Sequence, residues 1–130
     1  MKNKIQLSNG SILVINTYKM YVFDYDEEVT KDNARYFKFD FIESIANNDG
    51  YFKKDFGKVP VGFVIQVQYK DFLAEGFLYG CSVKSHLDKW DRMKGLKVAY
   101  ADLMEDFAKY SISLSKDECR KVAEIVGLCN

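Results

Sequence analysis

From Ser85 to Lys109 the chain holds one helical period without a break, and that stretch limits what the rest can fold into. Trp90, Met93, Leu96, Tyr100, Leu103, Met104 and Phe107 recur at three- and four-residue steps. They lay a broad apolar stripe along one side of a helix, and a stripe of that width needs a sheet to cover. Ser85-x-x-Asp88 reads as the capping box that starts it: the hydroxyl accepts from the third N–H and the carboxylate reaches back. Cys119, Val122, Ala123 and Val126 make a shorter stripe after a second such box, Ser115-x-x-Glu118, and Gly127 is a natural stop.

The residues ahead of these helices read as strands. Lys4–Ser8 and Ser11–Tyr18 flank Asn9-Gly10, the pair that best fits a two-residue type I′ hairpin because both positions need positive φ. Lys19–Tyr25 reads as a third strand. Arg35–Glu43 alternates, with Phe37, Phe39 and Phe41 toward one side, and reads as a fourth. Pro60–Tyr69 and Leu73–Val83 form a pair turned at Lys70-Asp71, with Pro60 at the start of its strand, where a missing N–H does least harm. Gly76 and Gly80 in the second strand mark a bulge or a close approach by another backbone. The expectation is an α+β domain spanning 1–130: an antiparallel sheet of about five to six strands, packed on one face by two C-terminal helices.

Composition narrows the function classes. At 130 residues, 48% hydrophobic, the chain can bury a core without staples. Nineteen basic residues balance nineteen acidic ones, so attraction of the whole protein to nucleic acid or anionic membrane is not expected. No apolar run follows the N-terminal lysines, and none approaches the length that crosses a bilayer. Cys81, Cys119 and Cys129 are an odd set without CxxC spacing, which suits free thiols in a reducing cytoplasm.

Candidate chemistry is sparse. His86 is the only histidine and lies near Asp88, Asp91 and Cys81. Asp88, however, already serves the helix start beside Arg92, and cysteine is commonly buried as a small hydrophobe. No nucleophile elbow, phosphate loop or dinucleotide fingerprint occurs. No catalytic residue, metal ligand or cofactor is expected. Two charged patches remain. Asp24, Asp26, Glu27, Glu28 and Asp32, against Lys31 alone, form an acidic run; such runs are most often solvated loops, but this one could also imitate a nucleic-acid backbone. Lys84, Lys89, Arg92, Lys94 and Lys97 surround Trp90 and outnumber Asp88 and Asp91, a pattern that suits phosphates or a nucleotide as well as a plain exposed helix face.

Cys81-Ser82-x-Lys84 and His86-x-Asp88-Lys89-Trp90-Asp91-x-x-x-Gly95-Leu96-Lys97-x-Ala99, placed after a two-stranded hairpin, resembles a segment of small phage-encoded anti-defence proteins, among them anti-CRISPR proteins and the Thoeris anti-defence sponges. The resemblance covers roughly 60–100. It implies a non-enzymatic inhibitor in the cytoplasm of a bacterial host, binding an immune effector. The first expectation is a CRISPR nuclease complex met by Asp24, Asp26, Glu27, Glu28 and Asp32. The alternative is sequestration of a cyclic nucleotide by Trp90, Arg92, Lys94 and Lys97, which leaves a homo-oligomer open. Leu96 and Asp102 stand where the sponge pattern often has arginine. A phage structural or accessory role is the third reading.

Overall fold

The structure, a computed structural model, describes residues 3–22, 29–30, 32–48, 59–85 and 89–128. Its elements run β1 (Lys4–Gln6), β2 (Ile12–Val22), α1 (Ala34–Ala46), β3 (Val59–Lys70), β4 (Glu75–Val83), α2 (Arg92–Lys109) and α3 (Lys116–Val126). The strands form one antiparallel sheet in the order of sequence. The α+β class agrees with expectation, while among the described residues the sheet has four strands rather than five or six.

Part of that difference is a merger. The expected strands Ser11–Tyr18 and Lys19–Tyr25 run on as β2, which ends at Val22; the stretch 23–25 lies outside the described residues. Lys19-Met20 offers no turn chemistry, and β3 supplies a partner along the whole length. Pairing steps from Met20↔Gly62 to Tyr21↔Pro60, so Val61 is an extra residue. Such a bulge reverses the alternation of side chains beyond it. Val59 and Val61 therefore join Met20, Val22, Val64 and Cys81 on one face, while Phe63, Ile65 and Val67 point to the other with Leu13, Ile15 and Leu78.

The second correction is Arg35–Glu43, which is helix, not strand. In α1, Phe37, Phe41 and Ile45 stand four residues apart and line one stripe against Met20, Val22, Val61, Val64 and Cys81. Phe41 is 0% exposed and Phe39, two residues away, is 67% exposed. A strand would have put both on one side. The aromatic preference for strands yields here to the patch left bare by the bulged face. Reciprocal contacts lead in: Thr30 N–H donates to Asn33 Oδ1 at 2.7 Å and Asn33 N–H to Thr30 Oγ1 at 3.3 Å. The helices thus lie on both faces, α2 and α3 on one as expected and α1 on the other.

Three boundaries also differ. The β1–β2 connection is a three-residue loop, closed by Leu7 N–H to Ser11 O at 2.8 Å. Only Gly10 takes positive φ, at +92°, so this is a type I turn with a glycine bulge rather than the I′ form. The long helix starts at Arg92, not at Ser85. Its cap is Asp91, whose carboxylate accepts from Lys94 N–H at 3.1 Å. Asp88 of the expected box lies outside the described residues, and Trp90 precedes the helix. The β3–β4 turn falls at Phe72-Leu73, and β4 begins at Glu75.

The Ser115/Glu118 capping box and the Gly127 stop are as expected. Glu118 does more than cap. One carboxylate oxygen accepts from Ser115 N–H and the other from Ser8 N–H, both at 2.9 Å, which fastens α3 to the β1–β2 hairpin. Leu96, Ala99, Leu103 and Phe107 of α2, with Val122 and Val126 of α3, complete the larger core on that face.

Candidate functional site

The free edge of β4 sets the geometry of the most distinctive surface. Gly80 lets α2 cross the strand closely: a Cβ there would sit 2.1 Å from the Ala99 carbonyl oxygen. The helix then runs along the strand edge. Four helical residues rise about 6 Å, and two strand residues about 6.6 Å, so side chains at i and i+4 fall over alternate outward N–H groups. Asp102 accepts from Cys81 N–H at 2.9 Å and Asp106 from Tyr79 N–H at 3.0 Å. Lys38 of α1 reaches the same Asp102 carboxylate from the other face at 3.2 Å. The next position in the series is Tyr110, the residue that closes α2. It carries no carboxylate to cover Phe77.

Beyond Phe77 the β3–β4 hairpin displays apolar side chains in water. Phe72 and Leu73 stand at 105% and 97% of their reference exposure. They occupy the two loop positions where Asn-Gly would be least costly, and neither has positive φ. Asp71 builds the turn instead. Its Oδ1 accepts from Leu73 N–H at 2.8 Å and Ala74 N–H at 2.6 Å, and Oδ2 accepts from the Tyr69 hydroxyl at 3.0 Å. These donors, Leu73 N–H foremost, hold the Asp71 carboxyl below the usual carboxylate range. Ser11 Oγ lies 3.0 Å from the same hydroxyl, tying the tip to the end of the β1–β2 loop. Beside the tip a groove of about 580 Å³ runs between Glu75–Leu78 and the segment after α2.

The basic patch is partly assembled. Trp90 packs tilted against Phe63, with ring centroids 5.4 Å apart, and the Lys19 ammonium lies 5.4 Å from the Trp90 centroid. Lys84, Lys89 and Lys94 join Trp90 around a cavity of about 90 Å³. Arg92 turns away toward Gly127 at the end of α3, and Lys97 is exposed outside that cavity. Of the acidic run, Asp32 is exposed just before α1; Asp24, Asp26, Glu27 and Glu28 lie outside the described residues, as does His86.

Burial pushes the Cys81 thiol up to about 12, so it is not a thiolate nucleophile near neutrality. Among the described residues no cluster of His, Cys, Asp or Glu has the makings of a metal site, and no helix is long and apolar enough to cross a membrane. Sequence reasoning assigns no binding role to Phe72, Leu73 or Asp106 and notes Asp102 only as standing where the sponge pattern often has arginine. The i, i+4 spacing of Asp102 and Asp106 opposite a strand with a glycine was the available signal. Compared with protein-family models, curated proteins and solved structures, the chain gives no significant match.

Proposed function

We propose that this chain is a non-enzymatic protein-binding domain that acts by covering a surface of a partner protein. The observation that carries the reading is the pair Phe72 and Leu73, held in water at the end of a turn fixed by Asp71. Large apolar side chains on a pre-ordered turn lose little entropy when they enter a pocket. Within this class, the resemblance of residues 60–100 favours a phage-encoded inhibitor of a bacterial immune effector, with a CRISPR nuclease as the first partner to try. Phe72→Ser/Leu73→Ser keeps the Asp71 contacts and removes the apolar tip. Anchors of this kind cost about 2 kcal/mol or more each when truncated, so for the double variant, at about 4 kcal/mol, affinity for a purified effector should fall about 1,000-fold. Unchanged binding or inhibition by that variant refutes the reading.

A second reading retains nucleotide sequestration at Trp90, supported by the lysines around its ring. Ligand cavities commonly measure about 300–1,000 Å³, so a site of about 90 Å³ requires a second copy to enclose a nucleotide. Thermal-shift measurements against cyclic ADP-ribose variants and cyclic dinucleotides test it. A flat response to all of them removes it.

A further inference from the structure

We infer that the open half of the β4 edge takes an extended, cationic segment of the partner as an added strand. This deepens the protein-binding reading and rests on it. Outward main-chain groups on β4 belong to every second residue, in phase with Tyr79 and Cys81. Asp106 and Asp102 occupy those two N–H groups. Glu75 and Phe77 are in the same phase, and among the described residues no side chain caps them. The seal therefore stops where the acidic series Asp102, Asp106 gives way to Tyr110.

Three features say what fits there. The groove beside Glu75 and Phe77 has room for a peptide main chain, at about 580 Å³. Asp71 and Glu75 are among its lining residues, and no lysine, arginine or histidine is. The Glu75 carboxylate accepts from Gln68 Nε2 and keeps its other oxygen for a cation, while the Asp71 carboxylate, held within its turn, adds negative charge nearby. Phe77 and Tyr110 bring half-exposed rings, which attract guanidinium and ammonium groups over their faces. Strand addition draws affinity from main-chain hydrogen bonds and selectivity from alternate side chains. Here the selective element is negative charge with aromatic surface, which matches arginine or lysine. Phe72 and Leu73, next to the same opening, supply the apolar part of the contact.

The probe is a short synthetic peptide alternating arginine with valine, and its control replaces arginine by glutamate. Amide shifts are followed in the ¹⁵N-labelled full chain. The expected result is saturable shifts at Glu75, Phe77 and residues 110–113, with slowed hydrogen exchange at Phe77, and binding of the acidic peptide at least tenfold weaker. Gly76→Leu fills the groove at a position where a Cβ meets nothing within 4 Å, so this variant should fold and bind at least tenfold more weakly. Tyr110→Asp, which extends the carboxylate series over Phe77, should do the same. The inference is overturned if those amides stay still, if both peptides bind alike, or if the same amides shift with protein concentration alone, which would make a second copy the occupant. If Phe72→Ser/Leu73→Ser abolishes effector binding while the arginine peptide leaves Glu75 and Phe77 unmoved, the protein-binding reading stands and the added strand falls. If the peptide binds as expected and that variant keeps its effector, the strand site stands and the tip reading falls.

Discussion

Asp102 joins three elements through one carboxylate, and its removal should be costly out of proportion to its partial exposure. In Asp102→Ala, the hydrogen bond from Cys81 N–H is lost, and one to a charged acceptor is worth about 1.5–3 kcal/mol. The ion pair with Lys38 goes too; both groups are partly exposed, so its share is about 0–1 kcal/mol. The expected cost is about 2–4 kcal/mol, a large part of the roughly 5–15 kcal/mol that holds a domain together. For a chain of this length each kcal/mol moves Tm by roughly 3–4 °C, so a fall of roughly 6–16 °C is expected. Two controls separate the contributions. Lys38→Ala removes only the ion pair and should cost at most about 1 kcal/mol. Asp102→Asn keeps an acceptor for Cys81 N–H and should fall between the two. Urea titrations followed by far-UV circular dichroism, with m unchanged, give all three values. If Asp102→Ala costs no more than Lys38→Ala, the carboxylate is not what binds α2 to the β4 edge.

Three further predictions use the same assay. Phe41→Ala should cost about 3–5 kcal/mol and Phe39→Ala less than about 0.5 kcal/mol; comparable losses would contradict the helical stripe of α1. Gly80→Ala forces a methyl against the Ala99 carbonyl and Leu103, and should destabilise by about 3 kcal/mol; a neutral outcome would mean α2 does not cross there. The Glu118 carboxyl is held below its ordinary value by the N–H groups of Ser115 and then Ser8. Its contribution is complete above the free-chain value of about 4.3 and is lost as pH falls through the lower folded value. Glu118→Gln should therefore lower stability at neutral pH and flatten the acid limb below about pH 5; a parallel acid limb would place the titrating contact elsewhere.

Much of this architecture was legible because local and tertiary preferences agree. Leu96, Leu103 and Phe107 recur at a helical period and cover the sheet; Ser115, Glu118 and Gly127 fix α3 by contacts within a few residues. Reading failed where distant partners decide. Phe37, Phe39 and Phe41 alternate as in a strand, yet Phe37 and Phe41 also match a helix, and the choice was made by the bulge at Val61 on β3. Asp91, a residue beyond the expected capping box, took the α2 cap from Ser85. The candidate sites fared unevenly for a related reason. Trp90 and Lys94 meet across a cavity because they are close in sequence, while Arg92 follows the helical turn toward α3. Leu73 reads as the start of a strand, since nothing in composition distinguishes an apolar residue that will be buried from one that will be displayed. Asp102 and Asp106 acquire their meaning only when β4 is laid beneath them.

The link from Ser8 to Glu118 joins residues 110 apart in sequence. Synthesis on a ribosome delivers β1 well before the helix that secures it. At about 5–20 residues per second, that gap amounts to roughly 5–20 s for the nascent chain. During that interval Ile5 and Leu7 lack the α3 side chains that later enclose them, so the β1–β2 hairpin keeps an apolar surface open to misplaced contacts until α3 emerges.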